Sequence, residues 1–264
     1  VTPQRLSCAD QLPDLLACAL TISAEHAPEA DLAAARQAFE SMLATTRAAL
    51  PALPARELAQ PLLRQMAAMG FAEDDETPRR PQAALLDRVL ARRRGVPSML
   101  AVLALEFARR LDIPLVAIDF PGRILVRSPA GDHLLDPVGG RRLYPQDCRE
   151  LLERQLGAGI RMQAEHMRPC DGRRLLQCLS RELRELHRHA GDALAALKDA
   201  ERVLSLGQAT LQDHLARADL YRLLECPGGE RYALEHALLF AEDAIETALI
   251  TRRLRQVKPQ PALH

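Results

Sequence analysis

The sequence predicts an α+β fold, predominantly helical, with one small antiparallel sheet in the middle of the chain and helices on both sides of it in sequence. Three observations predict it. Apolar stretches at helical spacing, bounded by Pro, Gly and acidic first turns, run from residue 11 to about 111. Between Pro114 and Asp136 the texture changes to short β-branched runs split by turn residues. From Asp171 onward the pattern is helical only.

Taken in order, "QLPDLLACALTIS" carries a broad apolar face, and "PEADLAAARQAFESMLATTRAAL" opens on an acidic turn and continues in strong helix formers. Pro51 and Pro54 stop that helix. A further helix covers about 56–68 and ends at Gly70, "AEDDETPRRPQ" reads as a polar loop, and "AALLDRVLARR" is a short amphipathic helix that stops at Gly95. The helix from about Ser98 to Leu111 is apolar on nearly every side until Arg109, which places it in the middle of a domain. "PLVAIDF", "RILVR" and "DHLLD" are strands, separated by "PG" and "SPAG", and a helix is expected at 145–156. In the C-terminal part, Leu175, Leu179, Leu183 and Leu186 form one stripe. Gly191 and Gly207 punctuate, Asp192 caps, and four helices are expected, the last running from about 230 to 255 after the break at "CPGG". These helix hairpins in series predict a tetratricopeptide-like array, with an ordinary helical bundle as the alternative. The expected domains are therefore 1–79, a helical part packed on the core; 80–160, the core; and 171–255, the helical array.

Bulk composition bounds the function. The chain has 264 residues, 48% of them hydrophobic, which is enough for a real core. No apolar run reaches the ~18 residues of a membrane span, and "VTPQRLSCADQLPDLL" has acids and a Pro where a secretory signal needs a basic start, so the cytoplasm is the expected location. Lys plus Arg and Asp plus Glu number 35 each, a balance that offers nothing to nucleic acid or an anionic membrane. The six cysteines form no CxxC pair and read mostly as small buried hydrophobes. "HRH" at 187–189 is not a metal site, because residues two apart on a helix diverge, and no cofactor or metal is expected. Charge is uneven, however. Between Arg88 and Arg142 ten Arg stand against five acids, a locally basic stretch.

The hairpin register matters for chemistry. Closing the loop "SPAG" symmetrically pairs Arg127 with Asp132, Leu125 with Leu134 and Arg123 with Asp136, and leaves Ile124–Leu135 and Val126–His133 on the opposite face. Ser98 sits where a helix dipole would favour a nucleophile, but a serine needs a base. Arg123, opposite Asp136, stays protonated near neutrality and cannot be one. His133 is close to Asp136 in sequence but belongs to the other face.

These residues carry a resemblance. "LACALTISAEHAPEADL", "MGF", "LLDRVLARRRGVPSMLAVLALEFARRLDIPLVAIDFPGRILVR" and "LLDPVGGRRL" resemble the bacterial SirB-type transglutaminase-like family, over about 12–156 and more faintly over 171–250. The resemblance implies a helical N-terminal part, a degenerate transglutaminase-like (papain-like) core and tetratricopeptide-like C-terminal helices. It places Ser98 at the nucleophile position, Arg123 at the histidine of the family's "PGHF" (here "PGRI"), and Asp136 at the acid. One of three groups survives, so no catalytic residue is expected. The chain further departs from the family at "PRRPQAALL", where Asn-Ser is usual.

Three functions follow. The first is a non-catalytic, regulatory or interaction scaffold, a pseudoenzyme that binds a protein partner through its C-terminal helices. The second is an anion- or acidic-peptide-binding module using Arg92, Arg93, Arg94, Arg141 and Arg142 beside the old cleft. The third is a hydrolase or acyltransferase using Ser98, or a cysteine such as Cys148, with an unrecognised base.

Overall fold

The structure, a computed structural model, describes residues 14–257 apart from Ala130, Asp132 and Ala158. It divides into two compact units. The first holds residues 14–75 and 82–176, and the second holds 76–81 and 177–257. The helical N-terminal part and the core thus fall in one unit, and the division lies within a helix, at Leu176/Gln177.

In the first unit, α1 (Leu15–His26) and α2 (Leu32–Ala49) each start at an aspartate, Asp14 and Asp31, whose carboxylate accepts a backbone N–H of the first turn. A short 3-10 turn leads to α3 (Ala59–Ala68), and α4 (Leu86–Arg92) follows the polar loop. At the centre lies α5 (Pro97–Arg110), buried from Pro97 through Ala108. It packs against α1, α3 and strands of the core, and Phe107 stacks on Phe39 of α2 at 4.8 Å between ring centroids. Pro97 at the first helical position fixes the entry. Glu106 is buried within this otherwise apolar helix, and it is held by Arg109 one turn on, whose Nε donates to it at 3.1 Å.

The core sheet has five strands in the order β6-β5-β4-β3-β7, antiparallel throughout: β3 (Val116–Phe120), β4 (Arg123–Arg127), β5 (Leu134–Leu135), β6 (Arg142–Leu143) and β7 (Pro169–Cys170). A separate two-residue parallel pair joins β1 (Ala72–Glu73) to β2 (Arg94–Gly95). One sheet face packs on α6 (Pro145–Leu156) through Ile118, Phe120, Leu125, Leu134, Leu143, Cys148 and Leu152. The hairpin register corrects the symmetric reading. Val126 pairs with Leu135 and not with His133, a slip of two residues. Because the slip is even, Ile124, Leu125, Val126, Leu134 and Leu135 keep their expected faces. The expected Arg127–Asp132 pair lies outside the described residues.

The turn between β5 and β6 is tied at both ends: the Gly140 N–H donates to the Asp136 carbonyl at 3.1 Å, and the Asp136 N–H to the Arg141 carbonyl at 2.9 Å. Gly140 sits at φ +70°, and its carbonyl accepts the Gln60 side-chain amide of α3 at 3.0 Å. A Cβ there would lie 2.8 Å from Leu63 Cβ and 3.2 Å from the Gln60 carbonyl. Gly140→Ala is therefore expected to destabilise the chain by about 1–3 kcal/mol, through left-handed strain plus a clash with Leu63 Cβ. Denaturant titration against Gly139→Ala, where a Cβ would meet nothing within 4 Å, isolates the packing part.

Apart from the loop at 76–81 and its connections, the second unit is helical among its described residues, with no strand. It contains most of α7 (Gly172–His189), then α8 (Ala193–Leu206), α9 (Leu211–Leu223), α10 (Pro227–Leu238) and α11 (Ala244–Gln256). Sequence neighbours pack on one another: α8 on α9, α9 on α10, and α10 on α11. The C-terminal stretch thus forms five helices, not four. Gly228 and Gly229 lie inside the first turn of α10, and the long final helix is split at 239–243. The split is a cap: Asp243 accepts the Glu246 N–H, and Glu246 accepts the Glu242 N–H, each at 2.8 Å. No helix in the described residues is long and apolar enough to cross a membrane.

Candidate functional site

Ser98 is the second residue of α5 and is buried. Arg123 opens β4, immediately after the two-residue Pro121–Gly122 turn that closes on the Phe120–Arg123 pair. Asp136 follows β5 and is fixed by its own turn, since its Oδ1 accepts the Val138 N–H at 2.9 Å. The expected Arg123–Asp136 ion pair is present: Arg123 Nη2 lies 3.1 Å from both carboxylate oxygens. Its geometry differs from a two-nitrogen fork. With the register slipped by two, Asp136 stands diagonal to Arg123 and not opposite it, and a single nitrogen spans the carboxylate.

A second carboxylate completes the arrangement. Glu73 of β1 accepts the same Nη2 at 3.2 Å. Burial by itself would lower the Arg123 pKa, but Asp136 and then Glu73 outweigh it and hold the guanidinium above its ordinary value. The Nε of Arg123 is buried and makes no hydrogen bond. A cation so held cannot accept a proton. Glu73 escaped the sequence reading because "EDDE" has the look of a solvated loop, and a two-residue strand leaves no periodicity to detect.

His133 lies in the bend before β5, half-buried and outside the strand. Cys148 is buried under the sheet, and burial first, then Asp147, pushes its thiol up, away from the thiolate a nucleophile needs. His187 and His189 diverge: His187 is buried with Nδ1 at 2.7 Å from Asp199 Oδ2, and His189 is exposed.

The five arginines point to different acceptors. Arg92 binds the buried Asp74 at 2.9 Å, and Arg93, in a left-handed backbone position at φ +59°, lays its guanidinium over Phe71 at 5.0 Å. Burial lowers the Arg93 pKa. Arg94 donates to the Gly70 carbonyl at 2.7 Å. Together these three fasten residues 70–74 to the end of α4. Arg141 binds Asp147 at 2.7 Å and Arg142 binds Gln60 at 3.2 Å. Each guanidinium thus serves an internal contact.

A family model described as "Transglutaminase-like superfamily" matches residues 33–181, more than half of the chain and a span that includes Ser98, Arg123 and Asp136. UPF0162 protein PA3419 of Pseudomonas aeruginosa is 49% identical over 267 residues, which cover 98% of this chain and 99% of that one. A UPF0162 protein of Xylella fastidiosa (strain 9a5c) is 35% identical over 144 residues, 52% of this chain and 51% of the relative. Protein SirB1 of Salmonella typhimurium is 27% identical over 180 residues, 67% of this chain and 66% of its own. No solved structure matches the chain.

Proposed function

The chain belongs to the SirB-type transglutaminase-like family, and on that premise we propose that it is a non-catalytic interaction or regulatory scaffold of the cytoplasm. In this reading the core has lost both nucleophile and base, and the C-terminal helices, taken as a tetratricopeptide-like array, receive a protein partner. One observation carries the loss of chemistry: the residue at the base position, Arg123, is locked by one nitrogen between Asp136 and Glu73. Acyl transfer through Ser98 would need a group that takes the serine proton and returns it to the leaving group. A guanidinium flanked by two carboxylates holds its proton throughout. The anion-binding alternative loses ground because its five arginines are engaged within the fold.

The test is covalent labelling of the purified chain with a fluorophosphonate and with an acylating ester. We expect no label at Ser98 by peptide mass mapping, and no difference between wild type and Ser98→Ala. Labelling of the wild type that disappears in Ser98→Ala would overturn the proposal and restore the hydrolase reading.

A further inference from the structure

We propose that α11 is a self-association surface that pairs antiparallel with the α11 of a second copy of this chain about a two-fold axis. This rests on the faces of α11 and not on the partner role proposed above. The inner face is accounted for: Ile250, Leu254 and Val257 pack with Ala218, Ala233, Leu234 and Ala237. Arg253 also turns inward, with Nη2 at 2.8 Å from Glu230 and Nη1 at 2.7 Å from Asp219. The opposite face is apolar as well. Ile245 is 71% exposed and Leu249 60%, with Ala244, Ala248 and Arg252 exposed along the same stripe. Leu239, 77% exposed, and Phe240, 41%, lie in the segment leading into it.

Charge selects the occupant. The N-terminal end of α11 carries the exposed Glu242 and Asp243 just before its first residue and the half-buried Glu246 in its first turn, and its C-terminal end carries the exposed Arg252 and Arg255. A partner of uniform charge would match one end and repel the other. A second α11 running the opposite way matches both, because a two-fold interface is self-complementary. Each copy's acidic end then lies beside the other's basic end, and the helix dipoles oppose. The crossing falls at Ala248–Leu249, midway between the charged ends, where a small side chain lets the backbones approach. A single helix pair is a small interface, so association in the micromolar range is expected.

Analytical ultracentrifugation of the full chain over a concentration series tests this. We expect a monomer–dimer equilibrium with no larger species. Leu249→Asp, at an exposed position that leaves the fold intact by far-UV circular dichroism, should weaken dimerisation at least tenfold. Arg252→Glu with Arg255→Glu should do the same without touching an apolar contact. A wild-type chain that stays monomeric to about 1 mM, with its fold intact, overturns the proposal, as does an open-ended series of oligomers. A dimer that survives Leu249→Asp places the interface elsewhere, and one that survives the double charge reversal rules out the antiparallel arrangement.

Discussion

Asp213→Ala should cost the second unit about 3–5 kcal/mol, the range for breaking a buried ion pair by removing one partner. The side chain of Asp213 is 3% exposed and carries three duties. It accepts two parallel bonds from Arg181 of α7, Nε at 2.9 Å and Nη2 at 2.7 Å, and a longer one from Arg184 at 3.4 Å. It also accepts the Thr210 N–H and hydroxyl, both at 2.9 Å, as the far end of the capping box that starts α9. Removing the carboxylate takes away the contacts that two arginines of α7 make with it, although Arg184 keeps Glu185 at 3.2 Å, and it uncaps α9 in the same step. The chain has no Trp, so far-UV circular dichroism reports the loss, and hydrogen exchange should localise it to α7–α9. Exchange unchanged in those helices would contradict the role given to Asp213.

The same contacts set a pH dependence. Burial would raise the Asp213 pKa, but Arg181 and the Thr210 N–H together override it and hold the carboxyl far below the ordinary carboxylate range. A depressed folded pKa means that the unfolded chain binds the proton more readily, so stability rises with pH wherever only the unfolded state is protonated. The contribution is complete at neutral pH, begins to fade at about pH 5 and falls further as pH drops through about 4 and below. Asp213→Asn should flatten that slope in a series of denaturant titrations.

Much of this was legible in the sequence, for identifiable reasons. Helices with a local stop or start signal appear where expected: α6 begins at Pro145 and ends at Leu156, α7 buries Leu175, Leu179, Leu183 and Leu186, and α8 starts after Asp192. What failed lacked a local signal strong enough to compete. The split between α10 and α11 runs through "ALLFAEDAIETALI", which keeps its apolar pattern and holds no Gly or Pro, so only the Asp243–Glu246 cap could have disclosed it. β6 and β7 are two residues long, too short for any period. Asp213 and Arg181 lie 32 residues apart and meet only because α7 and α9 pack in one unit. At the candidate site the sequence named Ser98, Arg123 and Asp136 but not Glu73, whose contact with Arg123 bridges 50 residues. Counting from a turn gave the facing of the hairpin side chains but missed the register by two residues, and pairings set by tertiary packing leave no such local count.

Arg123→Ala is expected to destabilise the first unit by about 2–4 kcal/mol, somewhat under the range for fully buried pairs because all three partners keep some access to water. Side-chain exposure is 22% for Arg123, 15% for Asp136 and 30% for Glu73. The cost comes less from the lost attraction than from what remains: two carboxylates, held by a turn and by a strand, facing the space of the missing cation. Two further variants separate that mechanism from simple loss of packing. Arg123→Lys should recover most of the stability, because the native contact uses one nitrogen and an ammonium can supply one. Adding Glu73→Gln and Asp136→Asn to Arg123→Ala should also recover part of it, because neutral amides remove the repulsion between two neighbouring carboxylates that the guanidinium had offset. Should Arg123→Ala fall within about 0.5 kcal/mol of wild type, or the added neutral substitutions deepen the loss, the ion triad would not be what stabilises this cleft.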